Sequence, residues 1–571
     1  MRRLIIALAV GLLTACGGGG GSSGGSGSGG GGGQGPSAPP TAIEAARFLT
    51  QATFGATDAT IQQVQSQGYN TWLNAQIASP LPVTNHQAYI DAAIAANGSA
   101  DTNNFYQTWW RAAIQNDDQL RQRTAFALSQ IFVISLNDPT IDPRGAASYY
   151  DMLNRDAFGN FRVLLEDVTL HPMMGRYLTF LANQKEDAAG TRTPDENYAR
   201  EVMQLMTIGL VELNADGTPR LDGGGQQIPT YTAADIAGLA KVFTGISWYH
   251  PAPTNNTFNG GSANAQRNVT PMIFYPNFHS TSQKDFLGTS IPASSTVDIP
   301  GDLRIALDRL YNHPNTGPFI SRRLIQQFVT SNPSPAYVGR VAAIFNNNGA
   351  GVRGDMAAVV RAVLTDADAR NAAAVSSVDF GKLREPVIRV TNWARAFGAT
   401  SQTGNYLITS TSANTSLSQS PLSSPSVFNF WRPGFTPPAT TQLGQRSLVA
   451  PEFQIIDEVT AAAYINVMQD WINNGIGQTP TGLQGRDVRS AYTPELALVD
   501  NPQGLVDRVN SLLFYGQMTP TLQGRLVAAI GAVGIPTANG SNQAQIDTAR
   551  LNRVKTAVFF SMVSPEYLVQ R

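Results

Sequence analysis

From Thr41 to the C-terminus, apolar residues return at intervals of three and four in one Ala-rich stretch after another, and this spacing limits what the chain can fold into. A period near 3.6 residues gathers those side chains on one side of a helix. Residues 42–51, 119–135, 161–170, 194–208 and 233–243 carry the pattern, as do 303–311, 321–330, 337–345, 356–364, 382–397 and 549–563. Strand-like alternation is scarce. The prediction is a mainly α fold, a single large multi-helix domain over residues 41–571 with long irregular loops and at most a small β element around 272–275.

Cys16 is the one cysteine, so no intramolecular disulfide is available and stability must come from burial. With 571 residues, 42% of them hydrophobic, the chain is long enough for a large core. Charged residues make up 14%, against roughly 25% in ordinary soluble domains, so the surface must be rich in neutral Asn, Gln, Ser and Thr. A formal net charge of -1 gives no electrostatic footprint for nucleic acid or an anionic membrane.

The N-terminus has its own pattern. Arg2 and Arg3 precede the apolar residues 4–13, which are too few to span a bilayer, and Leu13-Thr14-Ala15-Cys16 follows. This looks like a bacterial lipobox, which predicts a signal peptide over 1–15 and lipidation of Cys16. Gly17 resembles the outer-membrane sorting pattern, which places the domain in the cell envelope, in the periplasm or on the cell surface. Residues 16–40, nearly all Gly and Ser before a Pro-rich end, read as a tether with an r.m.s. reach of about 25–30 Å.

Two stretches break the helical pattern. Residues 250–300 are dense in Asn, Pro, Gly and Ser, and 401–444 contain a run from Pro425 to Gly434 that includes Phe428, Phe430 and Trp431. Aromatics set between prolines are expected to anchor a loop to the core.

Familiar motifs fail on context. Gly349-Ala350-Gly351-Val352-Arg353-Gly354 has dinucleotide-loop spacing, but the residues before it read as a helix, so no nucleotide or flavin is expected. The segment from Glu212 to Gly217 resembles the start of a calcium loop. It lacks the glutamate twelve positions in, and a turn at Asp216-Gly217 explains it better. Of the five histidines, His86, His171, His250, His279 and His313, three precede proline and belong to helix starts or turns.

One helix offers chemistry. Thr193-Pro194-Asp195-Glu196 reads as a capping Thr, a first-turn Pro and a Glu at the third position. In that register Asn197, Arg200, Glu201, Gln204 and Thr207 share one side and Tyr198, Val202, Leu205 and Met206 the other. A solvated polar face is the simple account. Asp235 likewise reads as the third residue of a capping box opened by Thr232.

The residue order resembles the bacterial family called domain of unknown function 1800. The matching segments include Arg47-Phe48-Leu49-Thr50-Gln51-Ala52-Thr53-Phe54-Gly55, Leu120-Arg121-Gln122-Arg123, His171-Pro172 and Glu196-Asn197-Tyr198-Ala199-Arg200-Glu201. Tyr231 to Ile236, Phe243-Thr244-Gly245, His279 with Lys284, and Ser564-Pro565-Glu566-Tyr567 continue it to the C-terminus. The resemblance implies an exported, mainly α-helical protein of no established activity, with a partner among exported proteins of the domain of unknown function 1501 family. The family usually has His-Asp where this chain has His279-Ser280, which weakens an acid–base or metal role there. It also implies that Asn197, Arg200 and Glu201 face a cleft, where with His171 and His279 they could orient a polar ligand, move a proton or hold one metal ion. Two function classes follow. One is a binding or scaffold protein working with an exported partner; the other is a periplasmic hydrolase using the His, Asn, Arg and Glu side chains, with or without a metal.

Overall fold

The structure is a computed structural model that describes residues 39–82 and 85–571. The expected signal peptide, the expected lipidation site Cys16 and the expected tether up to residue 38 lie outside the described residues. Pro39–Arg571 form one compact unit. Among the described residues there are twenty-five α-helices and only short strands, paired two by two.

Local signals set most helix starts. Thr41, Thr57, Asp101, Thr232 and Asp457 each open a helix with a capping box, in which the side chain takes an orphan N–H and the third helical residue returns the bond. Asp235 serves the box opened by Thr232 and also accepts the N–H of Leu287 at 2.6 Å, tying the helix Ala233–Val242 to the hairpin Lys284–Phe286/Thr289–Ile291. The approach is close. A Cβ on Gly238 would lie 1.8 Å from the carbonyl oxygen of Asp285, so only glycine fits there.

Helix Gln119–Ser129 is buried on every side although it carries Gln and Arg. Its polar side chains satisfy backbone carbonyls near the ends of neighbouring helices and in the loops beside them. Gln119 Nε2 donates to Asn116 at 2.8 Å, Arg121 reaches the carbonyls of Asn154 and Ser79 at 3.0 Å each, and Arg123 reaches that of Gln327 at 2.5 Å. The helix therefore acts as a polar axle around which the helices Asp58–Ile77, Thr102–Gln115 and Pro143–Asp156 pack. Trp72, Trp109, Trp110 and Trp393 lie wholly inside the same core.

The expected helix over 119–135 stops at Ser129, where Gln130 and Ile131 close a buried turn, and beyond it Ser135 Oγ bonds the carbonyl of Ser424 at 2.7 Å. The expected helix over 382–397 also divides. Lys382–Leu383 is a strand paired with Val569–Gln570, and Pro386–Ala396 is the helix. Proline disfavours helical geometry in the residue before it, so the start falls at Pro386. Within 250–300 the chain is largely irregular; it holds the short helix Asn255–Phe258, the hairpin Lys284–Phe286/Thr289–Ile291 and Ile273–Phe274, which pairs with Ile246–Ser247. Residues 349–354 join the helices Pro335–Asn346 and Met356–Thr365, with no strand before them.

Candidate functional site

The helix read as starting after Thr193 starts at Asn197 and ends at Gln204. Thr193 does not cap it. Asp195 is held away by its neighbours: its N–H donates to Asn183 Oδ1 at 2.9 Å, and Thr179 Oγ1 donates to its carboxylate at 2.9 Å. Asp195 Oδ1 then accepts the N–H of Asn197 at 2.8 Å. Contacts with a loop distant in sequence thus override the local capping signal.

The polar stripe is correspondingly divided. Arg200 is exposed and pairs with Glu196 at 3.3 Å, while half-buried Asn197 donates to Thr179 Oγ1 at 3.3 Å. Both line an open recess of about 720 Å³ with Asn183, Arg192, Asp195 and Glu196. Glu201 and Thr207 are buried, so the stripe is not one solvated face. Glu201 Oε2 has no hydrogen-bond partner, and burial raises its carboxyl above the ordinary value against the pull of Arg200.

The two histidines lie elsewhere. His171 caps the short helix Pro172–Tyr177 by accepting the Met173 N–H at Nδ1, and its ring stands edge-on to Tyr149 at 5.1 Å. Burial pushes it down to about 3, so the ring is neutral near pH 7. His279 is buried with both ring nitrogens on oxygen acceptors, Nδ1 at 2.7 Å from the Thr244 carbonyl and Nε2 at 3.0 Å from Asp302. Lys284 Nζ lies 2.9 Å from the same Asp302 oxygen. Burial alone would raise the Asp302 carboxyl, but hydrogen bonds and charge from His279 and Lys284 hold it below its ordinary value. The neighbouring Ser280 donates to Glu186 at 2.8 Å. None of His171, Glu201 and His279 lines the recess, and among the described residues no three His, Cys, Asp or Glu side chains converge as metal ligands.

A second concavity, of similar volume, escaped the sequence reading. A groove of about 700 Å³ runs between the loop after the helix Asn197–Gln204 and the aromatic run near 427–435, and the helix Thr316–Phe328 lies along it. Phe319, Arg322, Arg323 and Gln326 face it, at i, i+3, i+4 and i+7 of one helix stripe. Ile208, Leu210, Val211 and Leu213 form the opposite side, and Leu210 is 57% exposed. Gly209 makes that turn possible: its φ is 71°, and a Cβ there would press on the Phe319 ring at 3.0 Å. The aromatic run is only partly an anchor. Phe430 and Trp431 are buried, whereas Phe428 lines the groove beneath Arg432, whose guanidinium lies 5.0 Å from its ring centre.

Beside the groove lies a buried charged cluster, also missed. Lys382 Nζ lies 2.9 Å from Glu452 and 3.7 Å from Glu385. Gln130 and Gln419 donate to Glu385 Oε2 at 2.7 and 2.9 Å. The sequence held one signal. Glu385 sits at the cap position before Pro386, where Ser, Thr, Asp or Asn would be usual, and it does not cap; Gln419 Oε1 instead accepts the Val387 N–H at 3.1 Å.

No curated protein and no solved structure matches the chain. The family model described as protein of unknown function (DUF1800) matches residues 47–569, nearly all of the described helical body, and the chain belongs to that family.

Proposed function

We propose that the protein is a binding or scaffold lipoprotein of the cell envelope, tethered through Cys16 and engaging another exported protein with its helical body. The observation that carries this reading is the groove beside Phe319, which is open, largely apolar and rimmed by exposed Leu210. Apolar surface of that kind on a folded chain is the usual mark of a binding face. The separation of His171, Glu201 and His279 from the recess lined by Asn197 and Arg200 favours binding over the alternative, a periplasmic hydrolase. An exported protein of the domain of unknown function 1501 family is the partner to test first.

The test combines two variants of the full chain. Cys16→Ser should move the protein from the membrane to the soluble fraction, because lipid is the proposed attachment. Leu210→Asp should leave the melting temperature within a few degrees while lowering affinity for the co-expressed partner at least tenfold. Retention of Cys16→Ser on membranes after a high-salt wash overturns the anchor. Full binding by Leu210→Asp overturns the groove as the binding face.

A further inference from the structure

The groove is lined by the cations Arg322, Arg323 and Arg432 and by no acidic side chain. Arg323 has only a 3.5 Å contact to the Gln130 carbonyl, and Arg432 makes its hydrogen bond to Gln454 through the backbone N–H. None of the three forms an ion pair among the described residues. Burial pulls the Arg322 guanidinium down with no carboxylate opposing it, and brings Arg323 to about 10 although the charge of Glu452 lifts it. Guanidiniums stripped of water beside apolar surface gain most from carboxylates brought by a ligand.

We propose that this groove takes an extended acidic segment of a partner polypeptide, with apolar side chains against Ile208, Leu210 and Phe319 and carboxylates on Arg322, Arg323 and Arg432. The inference rests on the binding reading above and names the chemistry of the partner.

Two features select a polypeptide. The cations are divided between the helix Thr316–Phe328 and the loop across from it, so their occupant must bring several carboxylates set apart along its length. A single-headed amphiphile brings one. The groove also offers amides: the oxygen of Gln204 accepts from Tyr231 Oη at 3.3 Å, and that of Gln454 accepts the Arg432 N–H at 2.8 Å. Both side-chain NH₂ groups are left to donate, which suits the backbone carbonyls of an extended chain and has no use for an acyl tail. Aromatic rings and arginines side by side are the composition of binding hot spots.

The test places the photo-crosslinking residue p-benzoylphenylalanine at exposed position 210 of the full-length lipoprotein in intact cells, with a control at exposed Val163. The crosslinked peptide is then sequenced by mass spectrometry. The expected product is a segment of another exported protein with at least two Asp or Glu residues among apolar ones. Its yield should fall at least fivefold in Arg432→Ala, which is exposed and safe for folding, and further in Arg322→Met/Arg323→Met with an unchanged melt. A crosslinked exported segment lacking carboxylates, or one indifferent to both arginine variants, overturns the acidic occupant while the binding reading survives. Crosslinks only to lipid or to the chain itself overturn both.

Discussion

Lys382 Nζ lies 2.9 Å from a carboxylate oxygen of Glu452, and both side chains are almost wholly buried. Glu385 shares the same ammonium at 3.7 Å, so Lys382 is the cation in direct contact with both carboxylates. Burial raises the Glu452 carboxyl, with Lys382 opposing and Glu385 adding to the rise. Lys382→Met should cost about 3–5 kcal/mol in chemical denaturation at neutral pH, the scale of a buried ion left alone. The loss should shrink as Glu452 protonates in acid, and Glu452→Gln in the same chain should recover part of it. A neutral Lys382→Met would mean that the cluster is open to water.

Glu201 gives the opposite sign. Its carboxyl is raised by burial and one oxygen has no partner, so its stability contribution is present below the unfolded carboxyl value and is lost as pH rises through the folded one. Glu201→Gln should therefore stabilise the fold above neutral pH, by about 1 kcal/mol. Thermal melts at pH 5 and 8 check this: the gain should be larger at pH 8, and equal gains at both would refute the assignment.

Asp151 is the strongest acid-side case. It accepts the N–H groups of His86 and Gln87 at 3.0 and 2.8 Å, yet burial pushes it up to about 7. Its contribution is present below about pH 4 and is lost as pH climbs to 7. At about 1.4 kcal/mol per pH unit, Asp151→Asn should gain about 4 kcal/mol relative to wild type between pH 4 and 8. The lost backbone acceptor adds a constant cost, so the change with pH is the quantity to read.

His171 titrates the other way. Its folded value is pushed down to about 3, so stability is present above 6.5 and falls as pH drops toward 3. The variant His171→Asn keeps a capping side chain and should lose that acid sensitivity, flattening urea midpoints between pH 6.5 and 4. An unchanged slope would place the ring in contact with solvent.

Much of the helical fold is legible in the sequence because helix signals are local. Period, cap and proline act within about four residues, so the helices Ala42–Ala52, Phe161–Leu170 and Met356–Thr365 fall within a residue of their expected limits. The candidate sites are not local. Asp195 abandons the helix start read for it because Asn183 and Thr179 hold it, and Glu201 is buried by surroundings that its own helix register does not reveal. Gln130 and Glu385 meet across 255 residues of chain, and the arginines of the groove lack carboxylates only because of which loops fold over them. The sequence by itself determined that the chain makes helices and where most of them begin. Tertiary structure alone decided which polar side chains are buried, paired or left waiting for a partner, because desolvation and ion pairing depend on neighbours that the chain brings together only when it folds.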